Sequence, residues 1–335
     1  QTLYNQELTD ADNSNHKPEL ASIGNKSVEK DNTLSFTVTA TDVDGTTPTL
    51  SMTSPDLPGD AVFNTSTGVF SWATDETDLG AYTATFSATD GSKTDSETIT
   101  ITVEDILKGH WSMDDDAADT VVDDSTLSNI DGASTQNTNL LSTTGRNAEA
   151  LSFNGITDHI NLGKGAMIND LPENDFTVTG WIYDQSNPGD TGFIMGAFDN
   201  SLHGWFFRTR NSSAGTYLDF GTRNTLVASY MTSSPGSVSD SQWTHIAVVW
   251  DASTMSAKLY TNGTETTNSI KNGSGSYLSD AEMDKKFAMC DYKGGIWYFK
   301  GKMDNFKLFK KAFDDNKIQT LYNQELTDAD NSNHK

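Results

Sequence analysis

Apolar and polar residues alternate with a period of two along much of this chain. The stretches "LSFTVTATD" (34–42), "AYTATFSATD" (81–90) and "SETITITVED" (96–105) all follow that pattern. In the last of them Ile99, Ile101 and Val103 share one face. Such alternation predicts half-buried β-strands, because successive side chains on a strand point to opposite faces. The turn-forming stretches "DVDG", "SPDLPGD", "NTSTG" and "DGS" separate the runs. Residues 18–105 are therefore expected to form a small β-sandwich of about seven short strands.

A larger all-β unit is expected over 106–326. Its strands are read in "HWSMDD", "ALSFNG", "HINLG", "FTVTGWIY", "WTHIAVVWD", "AKLYTNG" and "YFKGKMDNFKLFKKAF", punctuated by Gly and Asn. Strand after strand with few helical patterns predicts two packed sheets in a jelly roll. The pattern is vague across 262–290. One helix is expected over 314–326, where Asp314 is placed to cap it and Ile318, Leu321, Tyr322 and Leu326 fall on one face at helical spacing.

The seventeen residues that open the chain, "QTLYNQELTDADNSNHK", also close it at 319–335. Identity over that length points to a tandem array, of which the chain is one window. The copies start at positions 1 and 319, which sets a period of 318 residues. On this reading residues 1–8 are the end of the preceding unit's helix. Residues 9–17 form the joint into the first sandwich, and 327–335 the joint to the next unit.

Composition narrows the function. Among 335 residues, 22 Lys and Arg face 47 Asp and Glu, a net charge of −25. A nucleic-acid partner would need cations to neutralise phosphates, so it is excluded, and anionic lipid is disfavoured. The acidity suits a solvated extracellular protein that recruits cations, and serves plain solubility equally well. Hydrophobic content is only 35%, but 16 Phe, 10 Tyr and seven Trp are enough to fill cores. No run approaches the ~18 apolar residues that span a bilayer. Cys290 is the single cysteine, so no intrachain disulfide is possible. It reads as a small buried hydrophobe, with a link between chains as the alternative.

Catalysis is not expected. A glycosidase of this fold class needs two acids close together on a strand. The Glu-x-Asp pairs at Glu76–Asp78, Glu173–Asp175 and Glu282–Asp284 are not followed by a second acid. Paired histidines, a nucleophile elbow and a phosphate loop are all missing from the sequence.

Two resemblances sharpen the picture. "PELASIGNKSVEKDNTLSFTVTATDVDGTTPTLSM" followed by "GVFSWATDETDLGAYTATFSATDGSKTDSETITITV" resembles the cadherin-like immunoglobulin-type repeats of bacterial and archaeal surface proteins. The set and order of strands in 106–326 resemble the laminin-G-like, concanavalin-A-like lectin fold. The fold class implied is all-β: an immunoglobulin/cadherin-like sandwich, then a concanavalin-A-like jelly roll with a short C-terminal helix.

The first resemblance implies calcium at the joint, since cadherin-like repeats share Ca²⁺ between linker and domain. Asp10, Asp12, Asn13, Asp42, Asp44 and Asp90 form the expected set, and Ca²⁺ takes six to eight oxygen ligands. The linker lacks a full Asn-Asp-Asn run, and ordinary Asp-Gly turns are the alternative. The second resemblance implies one calcium flanked by Asp124 and Asp304, completed by Asn129 and the backbone near Gly132. There the alternative is a solvated acidic loop. It also implies a glycan site, for which Trp205, Tyr292 and Trp297 lie in loop-like stretches. Trp181, Trp243 and Trp250 lie inside evident strands and read as core.

The expected function is a repeat unit of a large extracellular structural or adhesive protein, such as a surface filament, stalk or sheath. Calcium stiffens it, and its partners are copies of itself. The alternative is a glycan-binding adhesin in which the laminin-G-like domain is the lectin and the other domain a spacer.

Overall fold

A computed structural model describes residues 15–126, 130–163, 171, 173–198, 204–223, 228–271, 286–290 and 297–332. The chain divides into two compact units, Gln1–Ile106 and Leu107–Lys335.

The first unit contains β1 (Glu19–Leu20), β2 (Lys26–Glu29), β3 (Thr33–Thr37), β4 (Ala40–Thr41), β5 (Thr49–Thr53), β6 (Val62–Asn64), β7 (Val69–Ala73), β8 (Gly80–Thr89) and β9 (Thr94–Glu104). One sheet has the order β2-β9-β8-β5 and another β3-β7-β6, while β1 pairs with β4. β2 runs parallel to β9, and the other pairs are antiparallel. The alternation read in 96–105 places Ile99, Ile101 and Val103 in the core with Phe70, Trp72, Ala84 and Phe86. Phe86 is ringed by Phe36, Phe63 and Phe70 at centroid distances of 5.2 to 6.1 Å. The run 34–42 is not one strand. It breaks between β3 and β4, where Val38 N–H donates to the Gly68 carbonyl. Gly68 has φ +70°, and a Cβ there would lie 2.2 Å from the Val38 oxygen, so only glycine lets the two backbones meet.

The second unit begins with β10 (Leu107–Trp111), β11 (Val121–Val122), β12 (Gly132–Ser134), α1 (Thr138–Leu141), β13 (Ser142–Thr144), β14 (Glu149–Asn154), β15 (Ile160–Gly163), β16 (Phe176–Asp184), β17 (Thr191–Phe198), β18 (Gly204–Ser212) and β19 (Gly215–Arg223). It continues with β20 (Ala228–Ser233), β21 (Trp243–Asp251), β22 (Ser256–Thr261), β23 (Thr264–Glu265), β24 (Thr267–Lys271), β25 (Lys286–Met289), β26 (Lys300–Phe309) and α2 (Asp315–Ser332). One sheet has the order β13-β14-β26-β16-β21-β22-β23, with β10 also on β26. The other has the order β11-β12-β15-β25-β17-β18-β19-β20-β24. Phe176, Val178, Ile246, Val248 and Trp250 from the first sheet share one apolar cluster with Trp205, Phe207, Phe220 and Phe287 from the second.

β16 and β21 are buried along nearly their whole length. A strand buried on both faces needs cover on its outer side, and α2 supplies some of it: Tyr322 packs against Trp181 of β16 and His245 of β21. Asp314 caps α2 by accepting the Lys317 N–H at 2.8 Å. The helix runs on to Ser332, so residues 327–332, expected as a joint, are helical. No Gly or Pro interrupts "LTDADNS", and nothing local stops the helix there. The first strand in turn is shorter than "HWSMDD" implies, because it ends at Trp111.

Candidate functional site

Two places in the second unit gather chemistry that packing does not require. One is a cradle around Asp304, which stands on β26 opposite Trp181 of β16 and is 1% exposed. Its Oδ2 accepts the backbone N–H of Arg146 at 2.7 Å and of Asn147 at 2.9 Å. Both donors lie in the tight turn from β13 to β14. Gly145 makes that approach possible, since a Cβ there would meet the Glu149 oxygen at 2.0 Å and Asp304 Oδ2 at 2.7 Å.

The other carboxylate oxygen, Asp304 Oδ1, is buried with no hydrogen-bond partner, and so is Asn147 Oδ1. Asp114, just beyond β10, accepts the Glu149 N–H at 2.9 Å. Burial above all pushes the Asp304 carboxyl up to about 7, against its two backbone donors, and the Asp114 and Glu325 charges add to the push. Burial also raises Asp114. A buried acceptor without a donor costs about 1–3 kcal/mol. Two carboxylates and an amide oxygen are the hard donors that Ca²⁺ takes. Asp114, Asn147 and Asp304 therefore fit a calcium ion. Among the described residues no group of three or more His, Cys, Asp and Glu side chains could hold a metal; the set here has two acids, with the amide of Asn147 as its third donor.

Of the residues expected around this calcium, Asp304 lies in the cradle, and Asp124 does not. Asp124 is spent on its own loop. Its Oδ1 accepts His110 N–H and Thr126 N–H at 2.8 and 3.0 Å, and its Oδ2 accepts Thr126 Oγ1–H and Ile130 N–H, each at 2.8 Å. Four donors on two oxygens leave no lone pair for a cation. Gly132 lies in β12, where a Cβ would meet the Ile160 side chain at 2.4 Å. Asn129 lies outside the described residues. Asp114 and Asn147 were hidden in "SMDD", which read as strand, and in the turn "GRNAEA". The usable signal was an acid at the end of the first strand together with an Asn beside a glycine turn.

In the first unit the acids expected to bind calcium hold the chain directly. Asp44 accepts the His16 N–H and pairs with His16 Nδ1 at 2.9 Å. The hydrogen bond from the His16 ring keeps the Asp44 carboxyl below its ordinary range. Asp90 takes Ser92 and Lys93 N–H on Oδ1 and the Asn15 amide on Oδ2. The Lys93 backbone N–H, foremost, keeps Asp90 low. Asp42 accepts Asp44 N–H and the Thr46 hydroxyl, as a turn residue does. Asp10, Asp12 and Asn13 lie outside the described residues.

The second place is an open pocket of about 500 Å³ at one rim of the second unit. It is lined by the end of β14 and the loop after it (Asn154, Ile156), the β16–β17 loop (Asn187, Asp190), and the start of β26 with the residues before it (Trp297, Tyr298, Lys300). Ile156 is 71% exposed and Trp297 is 37% exposed. Arg208 lies 4.5 Å from the Trp297 ring centroid and 4.3 Å from that of Phe206. Its guanidinium is fixed from behind by Nε and Nη2 both donating to Asp219 Oδ2. Trp297 holds φ +63°, and its carbonyl accepts Phe193 N–H at 2.7 Å. The platform is thus tied to β17 and β18. A second concavity, lined by Glu173, Asn174, Asp175, Ala252, Ser253 and Lys310, carries no aromatic ring.

Of the expected glycan residues, Trp297 lines this pocket. Trp205 does not: it is fully buried, packed against Phe176, Phe220 and Phe287. The loop-like look of "SLHGWFF" misled because residue 205 already belongs to β18, whose pairing buries it between the sheets. Tyr292 lies outside the described residues.

Comparison with known proteins bears on both units. Residues 17–104 match the family described as "Putative Ig domain". Residues 153–319 match the family described as the concanavalin A-like lectin/glucanases superfamily. The chain joins an Ig-like domain to a concanavalin-A-like domain. No curated protein matches it. Solved structures that resemble it include domain 4 of AbnA, a GH43 extracellular arabinanase from Geobacillus stearothermophilus in complex with arabinotriose. That pair has 19% identity and a TM-score of 0.47, covering 65% of this chain and 98% of that one. The binding domain of Paraclostridial Mosquitocidal Protein 1 aligns at 18% identity and a TM-score of 0.47, covering 65% and 52%. The Ruminococcus gnavus IT-sialidase CBM40 bound to alpha2,3 sialyllactose aligns at 13% and 0.43, covering 52% and 95%. Likeness at this level says nothing about this chain's own ligand. Among the described residues no helix is long and apolar enough to cross a membrane.

Proposed function

We propose that this chain is one repeat of an extracellular adhesive protein, in which the concanavalin-A-like domain captures a glycan and the Ig-like domain serves as a spacer. The pocket at Trp297 carries this reading. A sugar ring offers an apolar C–H face and a rim of hydroxyls. An exposed indole beside short polar side chains suits both, the ring by stacking and the hydroxyls by hydrogen bonds. Asn187, Asp190 and Lys300 supply donors and acceptors around it. The module binds without catalysing. The match of residues 153–319 to the concanavalin A-like lectin/glucanases superfamily supports a carbohydrate as the ligand.

Calcium belongs to the same proposal. Asp114, Asn147 and Asp304 would hold it, and it would supply the positive charge that the buried oxygens lack. These residues bind the ion and fasten the β13–β14 turn to β26.

The test is a glycan array probed with the full chain and with Trp297→Ala. Binding of a defined glycan that falls at least about tenfold in the variant supports the reading, a loss of about 1.4 kcal/mol. Binding that the variant retains, or no binding at all, refutes it. A second reading, a self-associating filament, is favoured by the identity of residues 1–17 and 319–335. Electron microscopy of a several-repeat chain decides it: ordered rods without sugar support it, and single flexible strings exclude it.

A further inference from the structure

The turn that clasps Asp304 also reaches the last helix. Arg146 gives its backbone N–H to Asp304 and lays its guanidinium 5.1 Å from the Trp181 ring centroid. Trp181 donates its indole Nε1–H to Glu325 Oε2 at 2.7 Å, and its ring lies 5.8 Å from that of Tyr322. Glu325 is 3% exposed; it also accepts Lys307 Nζ–H at 2.8 Å, and His245 Nε2 stands 3.7 Å away. Glu325 and Tyr322 both belong to α2. Two side chains, Arg146 and Trp181, therefore span the path from the cradle to the helix.

We propose that binding of a divalent cation at Asp114, Asn147 and Asp304 is coupled to the seating of α2, with Arg146 and Trp181 as the connection. The inference rests on the calcium reading above and deepens it: the ion stiffens the helix end of the module rather than the acidic linker. A chain of contacts drives the coupling. A cation that fixes Asn147 also fixes its neighbour Arg146, and so the surface on which Trp181 packs. Ion and seated helix then favour each other, which by linkage works in both directions. On the repeat reading Tyr4 and Glu7 are the counterparts of Tyr322 and Glu325, so one such coupling would recur at every joint.

The experiment is hydrogen exchange of residues 315–332 in the full chain, with calcium and with a chelator, beside calorimetric titration of calcium. Calcium is expected to slow exchange of the α2 amides by about tenfold, inside the usual range of allosteric coupling. Arg146→Ala keeps the backbone N–H and all three ligands. It should still bind calcium but lose most of that protection. Glu325→Gln, which loosens the helix, should weaken calcium binding by a similar factor. Calcium binding that leaves α2 exchange unchanged overturns the coupling while the metal site stands. A full effect in Arg146→Ala overturns the connection through Arg146. Absence of calcium binding overturns both the site and the coupling.

Discussion

Glu325→Ala removes the carboxylate that accepts from both Trp181 and Lys307, and its cost can be worked out contact by contact. The Trp181 indole N–H, on a residue 2% exposed, is left without an acceptor, worth about 1–3 kcal/mol. The Lys307 ammonium loses its partner. Fully buried, that would cost about 3–5 kcal/mol, but the Lys307 side chain is 16% exposed and can turn to water, which brings the loss to about 1–2 kcal/mol. Together the change should cost about 3 kcal/mol. Glu325→Gln keeps an acceptor for the indole and should cost about 1–2 kcal/mol. Urea unfolding followed by tryptophan fluorescence is the assay. Of the seven Trp, all but Trp72 lie in the second unit, so the signal reports that unit, whose transition is fitted separately. If Ala and Gln cost the same, and less than about 1 kcal/mol, then the carboxylate is not held among these groups and the seating of α2 described here is wrong.

Other outcomes are equally concrete. Burial holds His245 down to about 4, beside Glu325 and Lys307. The unfolded chain takes up that proton near 6.5 and the folded one only near 4, so the contribution of His245 to stability is full above about pH 6.5 and falls by up to about 1.4 kcal/mol per pH unit between 6.5 and 4. Asp304, raised to about 7, acts in the opposite direction over that range, so the check is the stability difference between wild type and His245→Gln: wild type should lose ground to the variant as pH falls from 6.5 to 4, and a difference independent of pH refutes it. Gly180→Ala would press a Cβ to 2.7 Å from the Phe306 ring and should cost about 1–3 kcal/mol, read as a lowered Tm; an unchanged Tm refutes the packing. Arg208→Met leaves Asp219, 2% exposed, without its cation and should cost about 3–5 kcal/mol; a urea midpoint close to wild type would show that pair to be dispensable. Cys290, buried on β25's flank against Met303, should react with a thiol reagent only after denaturant is added; prompt reaction in the native protein refutes its burial.

Much of this molecule is written in local pattern. Period-two alternation sufficed to predict the first β-unit and to put Ile99, Ile101 and Val103 in a core, because a strand's faces are set by residue parity alone; strand-like runs punctuated by Gly and Asn predicted the second. The start of α2 was legible from Asp314 and the spacing of Ile318, Leu321 and Tyr322, since capping and helical period are also local. The acids were not legible in that way. An aspartate on its own turn and an aspartate in a cation cradle look alike in sequence; what separates Asp124 from Asp304 is how many donors the surrounding backbone brings to each. Trp205 and Trp297 differ for a similar reason: strand pairing across β17 and β18 turns one between the sheets, and the loops at the rim leave the other beside a pocket. The cradle and the seating of α2 depend on contacts between residues more than a hundred positions apart, from Arg146 to Asp304 and from Trp181 to Glu325. Sequence alone determined which elements form and which faces they bury. Which polar side chains remain unsatisfied, and so available for chemistry, was decided only when the sheets and the helix closed around them.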